Sequence, residues 1–354
     1  MSITVHEFKR LLGGVARSAK LKTTTDEDYK RRRDKFEKSV KALKALGGDV
    51  TEFEKALKEA DNLKKTDLVK AYVALEKPRA QVEAALRTAH TDAFKKDGYS
   101  EKKAKRMAAY ATELDAEGMD KDRVVLAAKV NQSLVDDGIP EEKAAAVGRV
   151  TRTGGKGDLE DAKVVAKKVA IFPSKMLETM HKNGTDVIAC KDSITDYHTD
   201  LKGVQPRGWP NGSTWDQVPG AGGAKEVVIA TKGTGGGKHV PAQGEGHGAF
   251  DLFGHEAGHG FDFGGGKPFK SEDAKFRKAR KKDVDDGKMR GSGSTTPGTD
   301  DYFMTTGEGG IQADLDAANQ EAFAESCARY YGKDANLKKD WPELHKFWAA
   351  KPFE

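Results

Sequence analysis

The sequence predicts two parts of different fold class, an all-helical domain followed by an α+β domain. Apolar residues in the first part recur at three and four positions, which is the spacing of one helix face. Residues 1–150 hold 8 of the 39 glycines and none of the four tryptophans, so the loop-forming residues are concentrated in the second part. Short β-branched stretches at Val187–Cys190 and Val227–Ala230 predict strands there. Strands among helices make the second part α+β.

Helices follow one another through the first part. One is predicted from Asp26 to Leu46, because its apolar residues recur mostly every three or four positions and Gly47-Gly48 follows as a stop. Further helices are predicted to begin near Asp49, Ser100 and Gly138.

A polar, glycine-rich stretch, residues 151–158, separates two helical patterns. We therefore expect an all-helical domain of unknown role over residues 1–155, a linker over 156–163 and a second domain over 164–354. The sequence of the first domain contains no recognisable catalytic or metal-binding motif. A helical domain of this kind can deliver a protein, bind a partner or cover a site.

Charge and composition exclude several classes of function. Lysine and arginine exceed acidic residues by six in residues 1–150, 32 against 26, which is typical of a solvated helical surface. Because aromatic residues are not interleaved with basic ones, we expect no nucleic-acid binding. No stretch approaches the ~20 apolar residues of a membrane span. Cys190 and Cys327 are too few for a disulfide framework, and their apolar surroundings predict buried thiols.

The stretch His255-Glu-Ala-Gly-His259 is the chemically informative part of the chain. On a helix, residues four apart lie nearly above one another, so both imidazoles can bind one metal ion. Glu256 lies about 100° around the helix, outside the ligand set but beside the metal. This pattern is that of a zincin. The alternative is an ordinary amphipathic helix that carries two histidines.

A catalytic zinc site needs a third protein ligand and an open fourth position. The metzincin pattern is excluded because Asp262 and Gly265 occupy the places of its glycine and third histidine. Two downstream residues are candidates for the third ligand. Glu321 lies on a predicted helix that also presents Glu325 on the same face, and Asp301 lies in a Gly-Thr-Asp-Asp segment.

Three segments in this order resemble the catalytic domain of anthrax toxin lethal factor and its relatives, which include the Pro-Pro endopeptidases. They are the zinc helix from His255 to Asp262, the Pro206-Arg-Gly-Trp loop that leads to Val218-Pro-Gly220, and the segment Glu321-Ala-Phe-Ala-Glu325. The resemblance covers residues 165–354 approximately and leaves residues 1–155 uncovered. It implies a zincin-like metalloprotease domain of the gluzincin type.

The resemblance also implies roles for individual residues. His255, His259 and Glu321 would bind one catalytic Zn²⁺, and Glu321 is preferred to Asp301 on this ground. Glu256 would act as the catalytic acid and base. Glu325 would support the site from behind the ligands.

Two further residues have expected roles. The family places a tyrosine shortly before its ligand glutamate to stabilise the oxyanion, and Tyr302 is the nearest upstream tyrosine here, although a longer insertion separates it from Glu321. Asp262 lies about one turn past His259, where its carboxylate can orient an imidazole or simply lie on the helix surface.

The sequence therefore predicts a zinc metalloendopeptidase, a toxin-like or effector protease in which Glu256 activates a zinc-bound water. The alternative is an inactive zinc-stabilised binding or structural module. The expected partners are a protein or peptide substrate and a delivery or partner protein that binds the helical domain. Because the N-terminus lacks an apolar run of signal-peptide length, we expect secretion or delivery without a classical signal peptide, or a cytoplasmic location.

Overall fold

The computed structural model of the chain describes residues 26–206, 212–289 and 315–353. Its internal contacts divide the chain into two compact units, residues 1–128 and 129–354. This division lies upstream of the predicted linker at residues 156–163. A helix begins inside that stretch at Leu159, and the side chain of Asp158 caps its first turn.

Helices make up the described part of the first unit. They are α1 (Asp26–Ala45), α2 (Thr51–Lys64), α3 (Leu68–Ala74), α4 (Glu76–Lys96), α5 (Glu101–Glu117) and the start of α6 (Lys121–Asp136). The helix predicted from Asp26 ends one residue earlier than expected, and α5 begins directly after Ser100 as expected.

Large apolar side chains form the core of the first unit. Phe36 and Leu86 are fully buried there, and Tyr29 is buried with its hydroxyl donating to Asp61 at 2.8 Å. These residues recur at the spacing of one helix face, so packing of amphipathic helices accounts for this core.

The second unit contains the remaining elements. Its helices are the rest of α6, α7 (Glu141–Val150), α8 (Leu159–Val169), α9 (Ser174–Asn183), α10 (Leu252–Phe263), α11 (Ala274–Asp285), α12 (Leu315–Tyr331), α13 (Leu337–Asp340) and α14 (Pro342–Ala349). Its strands are β1 (Thr151–Thr153), β2 (Asp186–Lys191), β3 (Gly220–Gly222) and β4 (Glu226–Thr231). An α+β fold was expected for this part of the chain and is confirmed, and the structure shows that this fold is rich in helices.

The four strands form one mixed sheet in the order β1-β2-β4-β3. Strands β1, β2 and β4 are parallel, with Ile188 opposite Val228, and β3 pairs antiparallel with β4. The two predicted strands correspond to β2 and β4. Strands β1 and β3 were not predicted, because β1 has three residues inside an apparent linker and β3 is Gly-Ala-Gly.

Burial of the central strands explains their composition. Val187 to Cys190 and Val227 to Ala230 are fully buried, as expected for parallel strands that are covered on both faces. Helix α8 contacts β1, β2 and β4, and helix α10 contacts β3 and β4. Both cysteines are buried free thiols, as predicted.

Candidate metal centre

Helix α10 carries the His-Glu-x-x-His motif, and its start is fixed by Asp251. One carboxylate oxygen of Asp251 accepts from the backbone N–H of Gly254 at 2.8 Å, which caps the helix. The other oxygen forms an ion pair with Lys168 of α8. Because His255 lies one turn after this anchored cap, the first histidine of the motif is held by both α8 and its own helix.

A very close contact between α10 and α12 brings the third candidate ligand to the motif. A Cβ atom on Gly258 would lie 2.6 Å from Ala324 Cα, and a Cβ atom on Gly254 would lie 2.9 Å from Ala328 Cα. Only glycine permits this approach, because such distances are below van der Waals contact. Two small residues one turn apart on each helix therefore set the distance from the histidines to Glu321.

Three side chains converge at this contact. Glu321 Oε2 lies 3.3 Å from His255 Nε2 and 3.3 Å from His259 Nε2. Ligand atoms 2.0–2.1 Å from a common tetrahedral centre are about 3.3 Å apart, so these separations match a zinc-sized ion. The ligand atoms of the three residues all lie within 4.8 Å of one another.

The hydrogen bonding of Glu321 supports the same fit. Its Oε2 atom is buried and has no hydrogen-bond partner among the described residues. A buried oxygen without a partner is costly, and a cation between this oxygen and the two imidazoles would satisfy it. His255, His259 and Glu321 could therefore hold one divalent metal ion.

Glu325 supports His255 from the side away from Glu321. It is fully buried, and its Oε2 atom lies 3.0 Å from His255 Nδ1. Its other oxygen accepts from the backbone N–H of Phe250 at 3.1 Å. With Nδ1 donating to Glu325, the lone pair on Nε2 of His255 is free to bind a metal.

The carboxylates and imidazoles of the cluster shift one another's pKa values. Burial raises the pKa of Glu321, but the imidazoles of His259 and His255 lower it more, so its pKa lies below the ordinary value. Burial lowers the pKa of His255, but the carboxylates of Glu321 and Glu325, which face its two ring nitrogens, raise that pKa well above the ordinary value.

Glu256 lies outside the three-ligand cluster and next to the edge strand β3. A Cβ atom on Gly220 would lie 3.1 Å from Glu256 Cγ, and one on Gly222 would overlap the backbone carbonyl of Glu256. The glycines of β3 thus allow the edge of the sheet to lie directly on the motif. This contact was not predicted from the sequence.

Asp262 is buried, so it is not a surface carboxylate of the helix. Burial raises its pKa, and its Oδ1 atom accepts from the backbone N–H of Ser271 at 2.6 Å. Its Oδ2 atom and the Nδ1 atom of His259 are both buried without hydrogen-bond partners among the described residues. A direct bond from Asp262 to His259 is absent there, and its role in orienting that imidazole stays a prediction.

Tyr302, the predicted oxyanion donor, and Asp301, the alternative candidate for the third ligand, lie outside the described residues.

Comparison with known proteins supports the same interpretation of this region. Residues 156–284 match the family model described as anthrax toxin lethal factor, N- and C-terminal domain. The resemblance to the lethal factor family is confirmed. The matched segment includes both histidines of the motif and ends before Glu321.

A curated relative and a solved structure are also similar. A Pro-Pro endopeptidase of Clostridioides difficile (strain 630) is 32% identical over 114 residues, which cover 30% of this chain and 47% of the relative. The chain therefore matches about half the length of that relative. The structure of a Pro-Pro endopeptidase from Paenibacillus alvei aligns with a TM-score of 0.43 and 22% identity, over 58% of this chain and 99% of that one.

In the part of the chain that the structure describes, every helix is too short or too polar to cross a lipid bilayer.

Proposed function

We propose that the chain is a zinc-dependent endopeptidase of the gluzincin type. The observation that carries the proposal is the convergence of His255, His259 and Glu321 on one point, with Glu256 one residue from the first ligand. The names of the matching family and of the curated relative, lethal factor and Pro-Pro endopeptidase, support peptide hydrolysis as the reaction.

Each residue has a separate task in this proposal. A bound zinc ion would lower the pKa of a water molecule toward about 7 and polarise the scissile carbonyl. Glu256 accepts the proton of the attacking water on its carboxylate and returns it to the leaving amine. Glu325 fixes the tautomer and direction of His255. Tyr302 is proposed to donate to the carbonyl oxygen as it gains charge.

Asp262 is proposed to orient His259 indirectly. The unpartnered Nδ1 of His259 and Oδ2 of Asp262 are both buried, and one water molecule between them would satisfy both groups. This arrangement would fix the second imidazole as Glu325 fixes the first.

The substrate is proposed to be a protein or peptide, and the chain to act as a toxin-like or effector protease. Peptides that contain consecutive prolines are the first to examine, because that is the sequence named for the relative. We also propose that a delivery or partner protein binds the helical domain. Export without a classical signal peptide is proposed as well.

The substitution Glu256→Gln tests the mechanism. We expect it to keep one zinc ion per chain, measured by elemental analysis, and to lower peptide cleavage by 10²–10⁴-fold, because the amide cannot accept the proton. The matched substitution Glu245→Gln changes an exposed carboxylate in a loop of the same unit and should leave cleavage unchanged. Retained cleavage by the Glu256→Gln protein would contradict the mechanism.

A third substitution, Glu321→Ala, tests the ligand set. It removes the carboxylate that faces both imidazoles, so we expect zinc binding to be lost. If the protein loses cleavage while keeping full zinc affinity, Glu321 is not a ligand.

A further inference from the structure

Two aromatic side chains follow the candidate metal centre at the end of α10. Phe263 lies four residues after His259, and the two rings stack with centroids 5.6 Å apart and planes inclined by 18°. Phe269 packs against Phe263 at 4.9 Å with an interplanar angle of 62°. The two rings form a continuous aromatic surface, which we call the Phe263–Phe269 pair.

This pair differs from the core aromatic residues of the same unit. Phe253, Phe323 and Trp348 are fully buried, as expected for core residues. Phe263 and Phe269 are only half-buried, although each lies against another aromatic ring. Exposed aromatic surface costs free energy, which is recovered when another apolar group covers it.

The distance to the metal centre allows a substrate to cover this surface. The Nε2 atom of His259 faces Glu321, and its ring contacts Phe263 directly. Consecutive Cα atoms of a peptide are 3.8 Å apart, so the residues that flank a bond held at the metal lie within about 4–8 Å of it. The side chain of such a flanking residue can therefore contact the Phe263–Phe269 pair, which lies beside the ligand imidazole of His259.

The chemistry of the pair selects an apolar occupant. The two rings offer apolar faces and edges, which are complementary to an apolar side chain. Lys267 lies 5.6 Å from the ring centroid of Phe269, so it adds a positive charge at the margin of the surface. That charge would disfavour a basic side chain.

We infer that the Phe263–Phe269 pair is a specificity subsite that binds an apolar side chain of the substrate next to the cleaved bond. The inference rests on the proposed endopeptidase function and adds the residue class that the enzyme selects.

Phe269 is the residue to change. Phe263 stacks on a candidate metal ligand, so its substitution would disturb the ligand as well as the surface. Phe269 reaches the surface from the turn after α10 and contacts His259 only through Phe263 among the ring contacts of the described residues. Its removal exposes the effect of the apolar surface on selectivity.

The first experiment measures selectivity with paired peptides. A peptide library first gives a cleaved sequence, and each position that flanks the cleaved bond is then varied between leucine and glycine. At one position we expect a preference for leucine in kcat/KM, and Phe269→Ala should reduce that preference about tenfold, as for other apolar pockets. The control Tyr99→Ala removes a half-buried aromatic residue in the first unit and should leave the preference unchanged. An unchanged preference in Phe269→Ala would overturn the inference.

A second experiment separates failure of the subsite from failure of the enzyme. Leucine and glycine hydroxamates bind zinc through the same group and differ only in the side chain. Their affinities for zinc-loaded Glu256→Gln protein are compared by calorimetry, with and without Phe269→Ala. Loss of the leucine preference in Phe269→Ala supports the subsite even in a protein without turnover. If the Glu256→Gln protein that retains Phe269 binds the two hydroxamates with equal affinity, the subsite inference is overturned, whether or not the wild-type protein cleaves peptides.

Discussion

His90 in the first unit and His255 in the second each meet a carboxylate of a neighbouring helix. His90 Nε2 lies 2.7 Å from Asp115 Oδ2, and His255 Nδ1 lies 3.0 Å from Glu325 Oε2. The two pairs differ at the second ring nitrogen. His90 Nδ1 is buried with no hydrogen-bond partner among the described residues, whereas His255 Nε2 faces the carboxylate of Glu321.

The difference shows that a buried histidine and carboxylate do not by themselves make a site. The first pair joins α4 to α5, and the ring of Phe94 stacks on that of His90. The second pair becomes a candidate metal centre because α10 also carries His259 one turn away, and because α10 and α12 approach through Gly258 and Ala324, which brings Glu321 to the second ring nitrogen. A third ligand group, which the small separation of α10 and α12 brings to the pair, distinguishes the second region.

The largest effect is expected from changing that separation. Gly258→Val places a branched side chain where even a Cβ atom would lie 2.6 Å from Ala324 Cα, so α10 and α12 must move apart. We expect a loss of about 3 kcal/mol in local stability together with most of the zinc affinity. Hydrogen exchange of peptides from residues 252–263 and 315–331, and zinc titration, measure the two losses.

Gly248→Val is the matched control, because a Cβ atom on Gly248 meets no other atom within 4 Å. This variant should have the hydrogen-exchange rates and the zinc affinity of the wild-type protein. If Gly258→Val behaves in the same way as its control, the close helix contact does not set the ligand positions.

A smaller effect is expected from breaking the pair in the first unit. Asp115→Ala leaves both ring nitrogens of the buried His90 without partners, which should cost about 2 kcal/mol. Backbone hydrogen exchange should become faster in residues 76–117, while the zinc affinity stays at its wild-type value. Asp92→Ala removes an exposed carboxylate of α4 and serves as the control. A change in zinc affinity in Asp115→Ala would show that the two pairs are not independent.

The smallest effect is expected at the corresponding carboxylate of the second unit. Glu325→Gln replaces one of two acceptor oxygens by an amide donor, although both His255 Nδ1 and the N–H of Phe250 need an acceptor. Zinc affinity should fall about tenfold, as is typical when a partner of a ligand histidine is removed. Competition with a fluorescent chelator measures the loss. Wild-type affinity in this variant would leave Glu325 without a role in positioning His255.

The sequence was sufficient for features that repeat along the chain. Helical spacing predicted α1 to within one residue at its end, and β-branched runs predicted β2 and β4. The spacing of His255 and His259 predicted a shared face on one helix, and the resemblance to the lethal factor family supplied Glu321 as their partner.

Features that depend on distant contacts were not predicted. The sequence Gly220-Ala-Gly222 has no strand propensity, and it forms an edge strand only because β4 pairs with it and α10 lies against it. The small residues at positions 254, 258, 324 and 328 are four apart within each helix. That spacing is a usable signal of a close helix crossing, but it does not say which two helices meet.

The glycines of α10 also affect how genetic data on this protein should be interpreted. Gly254 and Gly258 supply no ligand, proton or hydrogen bond from a side chain, yet every other amino acid at these positions meets the backbone of α12. In a saturation mutagenesis screen for activity, both positions should therefore score as intolerant as His255. The positions that tolerate no substitution would then mark the contact between α10 and α12, and the metal-binding and catalytic residues would be only some of those positions.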